Sequence, residues 1–117
     1  MQNLTAPQDQ QRERSQRPLF DLGRVVTTTS VYDQLAASHH GWMAGCLVDH
    51  RHGNWGQVDD HDHEANNASV ANGSRILSVY PTPKGVKTDA DKVWVITDAA
   101  NDDGVRYATT FLYPHEY

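Results

Sequence analysis

At 117 residues and 13.1 kDa the chain has room for one domain and not two. Its net charge of -5 argues against a general nucleic-acid binder, which needs a basic face to neutralise phosphates. The single cysteine, Cys46, excludes an internal disulfide framework and suits a reducing cytoplasm.

Residues 1–18 are rich in Gln and Arg and offer almost nothing to bury, so they are expected to form a disordered leader. The same stretch lacks the apolar region of a signal peptide, and no run approaches a membrane span. A cytoplasmic protein without membrane contact is expected, with one domain over 19–117.

Leu22 to Thr29 carries a β-branched run suited to a strand. A short helix from Ser30 to Ala37 follows, capped by Thr29 or Ser30, with Val31 and Leu35 on one face. Trp42, Cys46, Leu47 and His50 recur at helical spacing in a second helix over Trp42 to His50, stopped by Gly53. A third helix is predicted between Asp59 and Asn72, capped by Asp59 or Asp60 and closed by Gly73. Its apolar content is poor, so it packs lightly at the surface.

From Arg75 the pattern changes to strands: Ile76–Tyr80, Val93–Thr97 and Tyr107–Tyr113, separated by Pro81–Gly85 and Asn101–Gly104 turns. The class predicted is α+β: a short N-terminal strand, with two to three helices packed on one face of a small antiparallel sheet whose C-terminal part is a three-stranded meander.

Six of the seven histidines lie between His39 and His63, interleaved with Asp49, Asp59, Asp60, Asp62 and Glu64. Metal binding is not favoured. His50/His52 and His61/His63 are spaced two apart, which sends them to different sides of a helix, and no H-E-x-x-H or C-x-x-C pattern is present. Phosphate-binding and nucleophile-elbow motifs are missing too, so no cofactor is expected.

Two kinds of site remain. In the first, His50 moves protons, Arg75 holds phosphate, and Ser78 and Thr109 supply hydroxyls, the set a small metal-independent ribonuclease requires. The plainer alternative is that His50 caps its helix and Arg75 pairs with a nearby Asp. In the second, Asp59, Asp60, Asp62 and Glu64 present charge resembling a phosphate backbone to the basic nucleic-acid-binding surface of a partner protein. Trp55, flanked by glycines, would be the aromatic anchor or else a core plug. Direct DNA binding is not expected, and the oligomeric state is left open. Charging of the clustered histidines between about pH 7.5 and 5.5 is expected to erase much of the negative charge.

The segment from His50 to Tyr117 resembles a family of small proteins carried on plasmids and integrative elements, labelled type I restriction enzyme M-subunit related. The likeness rests on His50, Gly53-Asn54-Trp55-Gly56, Asp62, Asn66, Gly73, Arg75, Ser78, Tyr80, Trp94, Ile96-Thr97, Thr109-Thr110, Leu112, Pro114 and Tyr117. Asn54 stands where the family has Asp, and the Asp-Arg pair after the Ile-Thr strand gives way to Ala100-Asn101 and extra residues. The chain lacks a Gly-rich loop for S-adenosylmethionine. The resemblance implies a mobile-element context rather than a mechanism. Small acidic proteins of such elements often look like inhibitors of host restriction or CRISPR machinery, so a non-enzymatic protein of that kind is expected.

Overall fold

A computed structural model describes residues 17–117, so 1–16 of the expected leader lie outside the described residues. The elements are β1 (Arg24–Thr27), α1 (Thr29–Val31) continued by a π-helical turn (Tyr32–Ala36), α2 (His40–Arg51), α3 (Asp60–Asn72), β2 (Ile76–Pro81), β3 (Lys92–Thr97), β4 (Ala108–Leu112) and a 3₁₀ turn (Pro114–Glu116). The class is α+β. The three C-terminal strands form the expected antiparallel meander, but β1 joins them in parallel beside β4, giving a mixed sheet of order β1-β4-β3-β2. All three helices intervene between β1 and the meander, which supplies the long crossover a parallel pair requires.

Local chemistry sets the helix ends. Thr28 caps α1: its Oγ1 accepts from Val31 N at 3.4 Å and donates to Glu116 Oε1 at 2.9 Å. Ala37 N then reaches back to Tyr32 O at 3.0 Å, closing the π turn in place of a plain continuation of α1. Asp59 caps α3 by accepting Asp62 N at 2.8 Å, and Gly73 ends it in the left-handed region at φ 83°.

Val31, Leu35, Met43 and Cys46 pack on Tyr80, Val93, Val95 and Phe111, so α1 and α2 cover one face, the inner face, of the sheet. Burial, helped by Asp49, pushes the Cys46 thiol up to about 12, which makes it an inert core group. A second cluster of Phe20, Trp55 and Ile76, with Val58 and Val70 against it, lies beneath α3.

The outer edge of β2 is sealed without a further strand. Asn66 acts as a side-chain surrogate for a peptide, donating from Nδ2 to Leu77 O at 2.6 Å and accepting Leu77 N at 3.1 Å through Oδ1. Val79 N donates to Trp55 O at 3.0 Å, and Gln57 N donates to Val79 O at 2.7 Å. Between them Gly56, at φ 75°, passes so close that a Cβ would stand 2.0 Å from Val79 O. Among the described residues no helix is long and apolar enough to cross a membrane.

Candidate functional site

The last turn of α2 drives His50 into the inner face, where it has no exposed surface. Nδ1 lies 2.6 Å from Ser78 Oγ on β2, and Nε2 lies 2.8 Å from Thr97 Oγ1 on β3. Thr97 Oγ1 is 2.7 Å from Thr109 Oγ1 on β4, whose hydroxyl donates to Leu22 O at 2.7 Å. Thr97 and Thr109 are register partners, so the sheet itself sets this chain of hydroxyls side by side.

The far end of the chain fixes its direction. A carbonyl can only accept, so the Thr109 proton is committed to Leu22 O. Thr97 must then donate to Thr109 and accept from Nε2–H. In the neutral ring Nδ1 is left as the acceptor for Ser78. Phe20 and Trp55 close round the ring at centroid distances of 5.2 and 5.9 Å, both edge-on. Burial, with the Arg106 charge adding to it, lowers the His50 pKa from 6.5 to about 4.

Of the residues weighed for acid–base chemistry, His50, Ser78 and Thr109 therefore share one network, with Thr97 as the link. Arg75 does not join them. It is exposed, lies over the Tyr117 ring at 5.1 Å and donates to the Tyr117 hydroxyl. A different guanidinium, Arg106, approaches the inner face just after the Asn101–Gly104 turn. Its Nη1 donates to Ser74 O at 2.7 Å and Asp98 O at 2.9 Å, and its Nη2 to Ser69 O at 2.8 Å. Three backbone carbonyls occupy it, and its plane lies 5.6 Å from the Phe20 ring, so it clamps the end of α3 to the end of β3.

Access decides what this network can do. A cleft of about 450 Å³ opens between Leu19–Asp21, the end of α3 and the loop around Asp102, and it reaches Phe20 and Arg106. His50, Ser78, Thr97 and Thr109 do not line it. A general base must come within hydrogen-bond reach of its substrate, and His50 spends both nitrogens on hydroxyls inside the core.

The partner-binding residues divide. Trp55 is 2% exposed: its ring stacks on Phe20 at 6.1 Å and its Nε1 donates to Asn67 Oδ1 at 3.0 Å. It is a core plug, because the β2 edge contact holds its backbone inward and leaves the indole no route to the surface. Asp59, Asp60, Asp62 and Glu64 are all exposed. No Lys or Arg occurs from Gln57 to Ser74, so no permanent cation on α3 offsets them, although His61 Nδ1 lies 3.5 Å from Asp62 Oδ1. Ligand atoms of Asp59, His61 and Asp62 lie within 4.8 Å of one another, but Asp59 is already engaged as the helix cap. Exposed acids group in this way without an ion.

Sequence reasoning missed Thr97, Arg106 and Phe20. Thr97 was detectable, since it is the polar member of the alternation Val93, Val95, Thr97 on the buried side of β3. Arg106 and Phe20 carried no such signal, because each acts through a distant part of the chain. In comparisons with known proteins, no family model, no curated protein and no solved structure matches this chain.

Proposed function

We propose that this chain is a non-enzymatic accessory protein of a mobile element that binds and inhibits a host defence protein of restriction or CRISPR type. The contact surface is the first turn of α3, and the partner carries a basic nucleic-acid-binding groove. The observation that carries this reading is the run of exposed carboxylates at Asp59, Asp60, Asp62 and Glu64 on a helix with no cation between Gln57 and Ser74. Clustered negative charge speeds encounter with a basic surface and disfavours partners of like charge. The helix is held rigidly by Asn66, Asn67 and the Arg106 clamp, so the charges keep a fixed spacing. The mobile-element and anti-defence context rests on the family resemblance.

The test is capture from host extract with wild type and an Asp60→Asn/Asp62→Asn/Glu64→Gln variant, with an RNA-degradation assay on the same preparations. Asp59 is left intact because it caps the helix, and Trp55 because it is core. A nucleic-acid-handling partner kept by wild type and lost by the folded variant, without RNA cleavage, is the expected result. RNA cleavage abolished in a folded His50→Gln protein would instead assign the chain to the ribonuclease class, with His50 acting in an opened state.

A further inference from the structure

Among the described residues the helices pack on the inner side of the sheet, while on the outer side Val79, Ile96 and Leu112 are buried and Trp94 is half-buried. On this outer face the strand registers set out three rows. Arg24, Ala108, Asp98 and Arg75 lie at one end, Val26, Thr110, Ile96 and Leu77 in the middle, and Leu112, Trp94 and Val79 beyond them. Lys92 follows Trp94 on the same side of β3. The C-terminal turn brings Tyr117 back over this face, with its ring 5.5 Å from Trp94 and the Arg75 guanidinium 5.1 Å from its centroid. Tyr117 nevertheless remains 69% exposed.

Charge on this face runs against that of the whole molecule. Arg24, Arg75 and Lys92 stand at outer-face positions, and Asp98 is the one carboxylate in the rows. Among the described residues none of these three cations lies within ion-pair distance of a carboxylate. Glu116, in the tail, is taken up by Thr28 Oγ1 and Tyr113 N at 2.9 and 2.8 Å. The acids of α3 belong to a helix that packs through Val70 on the Ile76 cluster, on the inner side of the sheet.

We propose that this outer face binds single-stranded nucleic acid. Bases stack on the exposed Tyr117 ring, which rests against Trp94, and the backbone phosphates are met by Arg24, Arg75 and Lys92. An exposed aromatic ring on a sheet face, flanked by cations, is the combination that single strands require, because every base has a π-face and every link a phosphate. A duplex keeps its bases stacked on one another and offers the rings nothing. From Arg24 to Arg75 is three strand spacings, about 14 Å, and the rise from Asp98 to Lys92 adds about 20 Å along the strand. The platform thus suits a short run, on the order of four nucleotides. With three cations the affinity is modest and salt-sensitive, with a slope near -2 in log–log form from about 0.7 per phosphate. The site is separate from the acidic turn of α3, and the local charge reverses what the net charge implies for this face alone.

The test is fluorescence anisotropy of short labelled oligothymidylate and oligouridylate with the whole chain, at about 50 and about 200 mM salt. Saturable binding is expected, weakened about tenfold or more by Tyr117→Ala and kept by Tyr117→Phe, which preserves the ring. An Arg24→Gln/Lys92→Gln variant should flatten the salt slope by about 1.4. The Asp60→Asn/Asp62→Asn/Glu64→Gln variant should bind as wild type does, which separates this proposal from the protein-partner reading. Preference between the two oligomers identifies the strand as DNA or RNA. Absence of binding to both at low salt would overturn the proposal, as would binding untouched by Tyr117→Ala or equal binding of a duplex of matching length.

Discussion

His50 illustrates how a residue type that attracts catalytic readings is also suited to organise a core. Its neutral ring offers one donor and one acceptor, and the sheet supplies Thr97 and Ser78 to meet them at 2.8 and 2.6 Å. The folded-state pKa of about 4 lies below the ordinary 6.5, so between those values the unfolded chain takes up a proton that the folded one refuses. Stability from this group is therefore complete above about pH 6.5 and falls as the pH drops towards 4, by about 3 kcal/mol in all. Denaturant unfolding of wild type and His50→Gln over that range checks it: the pH slope should shrink in the variant, and equal slopes would exclude His50 as the source. Thr97→Val removes the middle of the chain, leaving Nε2–H without an acceptor, and should cost about 2–3 kcal/mol in the same measurement at neutral pH. His50, Ser78 and Thr109 could be singled out from the sequence as polar groups worth attention. That they meet indoors could not, because burial depends on Phe20 and Trp55 closing over the ring. The same burial removes His50 from the histidines that were expected to offset the acidic segment on mild acidification.

At the scale of elements, α3 is held by hydrogen bonds more than by apolar contact. Its buried residues are Asn66 and Ser69, and Val70 is only half-buried. Asn66→Ala should free both the Leu77 N–H and C=O on the β2 edge and loosen α3, at about 2 kcal/mol. Hydrogen exchange should then rise at Leu77 and along α3 but not in β3. Unchanged protection at Leu77 would show that the edge is sealed in another way. The bounds of α3 were legible from Asp59 and Gly73, because caps and left-handed glycines are local signals. The parallel partner of β1 was not, because the meander leaves two edges, β2 and β4, and only the distant Asn66, Trp55 and Gln57 contacts close the β2 edge.

The whole molecule separates its charges. Carboxylates crowd the start of α3, whereas Arg24, Arg75 and Lys92 share the outer side of the sheet with Trp94 and Tyr117. The residues in and beside the strands also sort by side. Ser78, Thr97 and Thr109 line the inner network with His50, and Arg75, Trp94, Ile96, Thr110 and Leu112 belong to the outer face. A single sequence lists these residues along one line, and only strand register divides them. The measurement that bears most directly on this account is a competition titration: the captured partner is loaded with a labelled duplex, which the outer sheet face does not bind, and this chain is added. Wild type should displace the nucleic acid and the Asp60→Asn/Asp62→Asn/Glu64→Gln variant should not, with the effect weakening as salt rises. Displacement by the variant as strong as by wild type, or a partner that keeps its nucleic acid throughout, would contradict a role for α3 as a charge mimic.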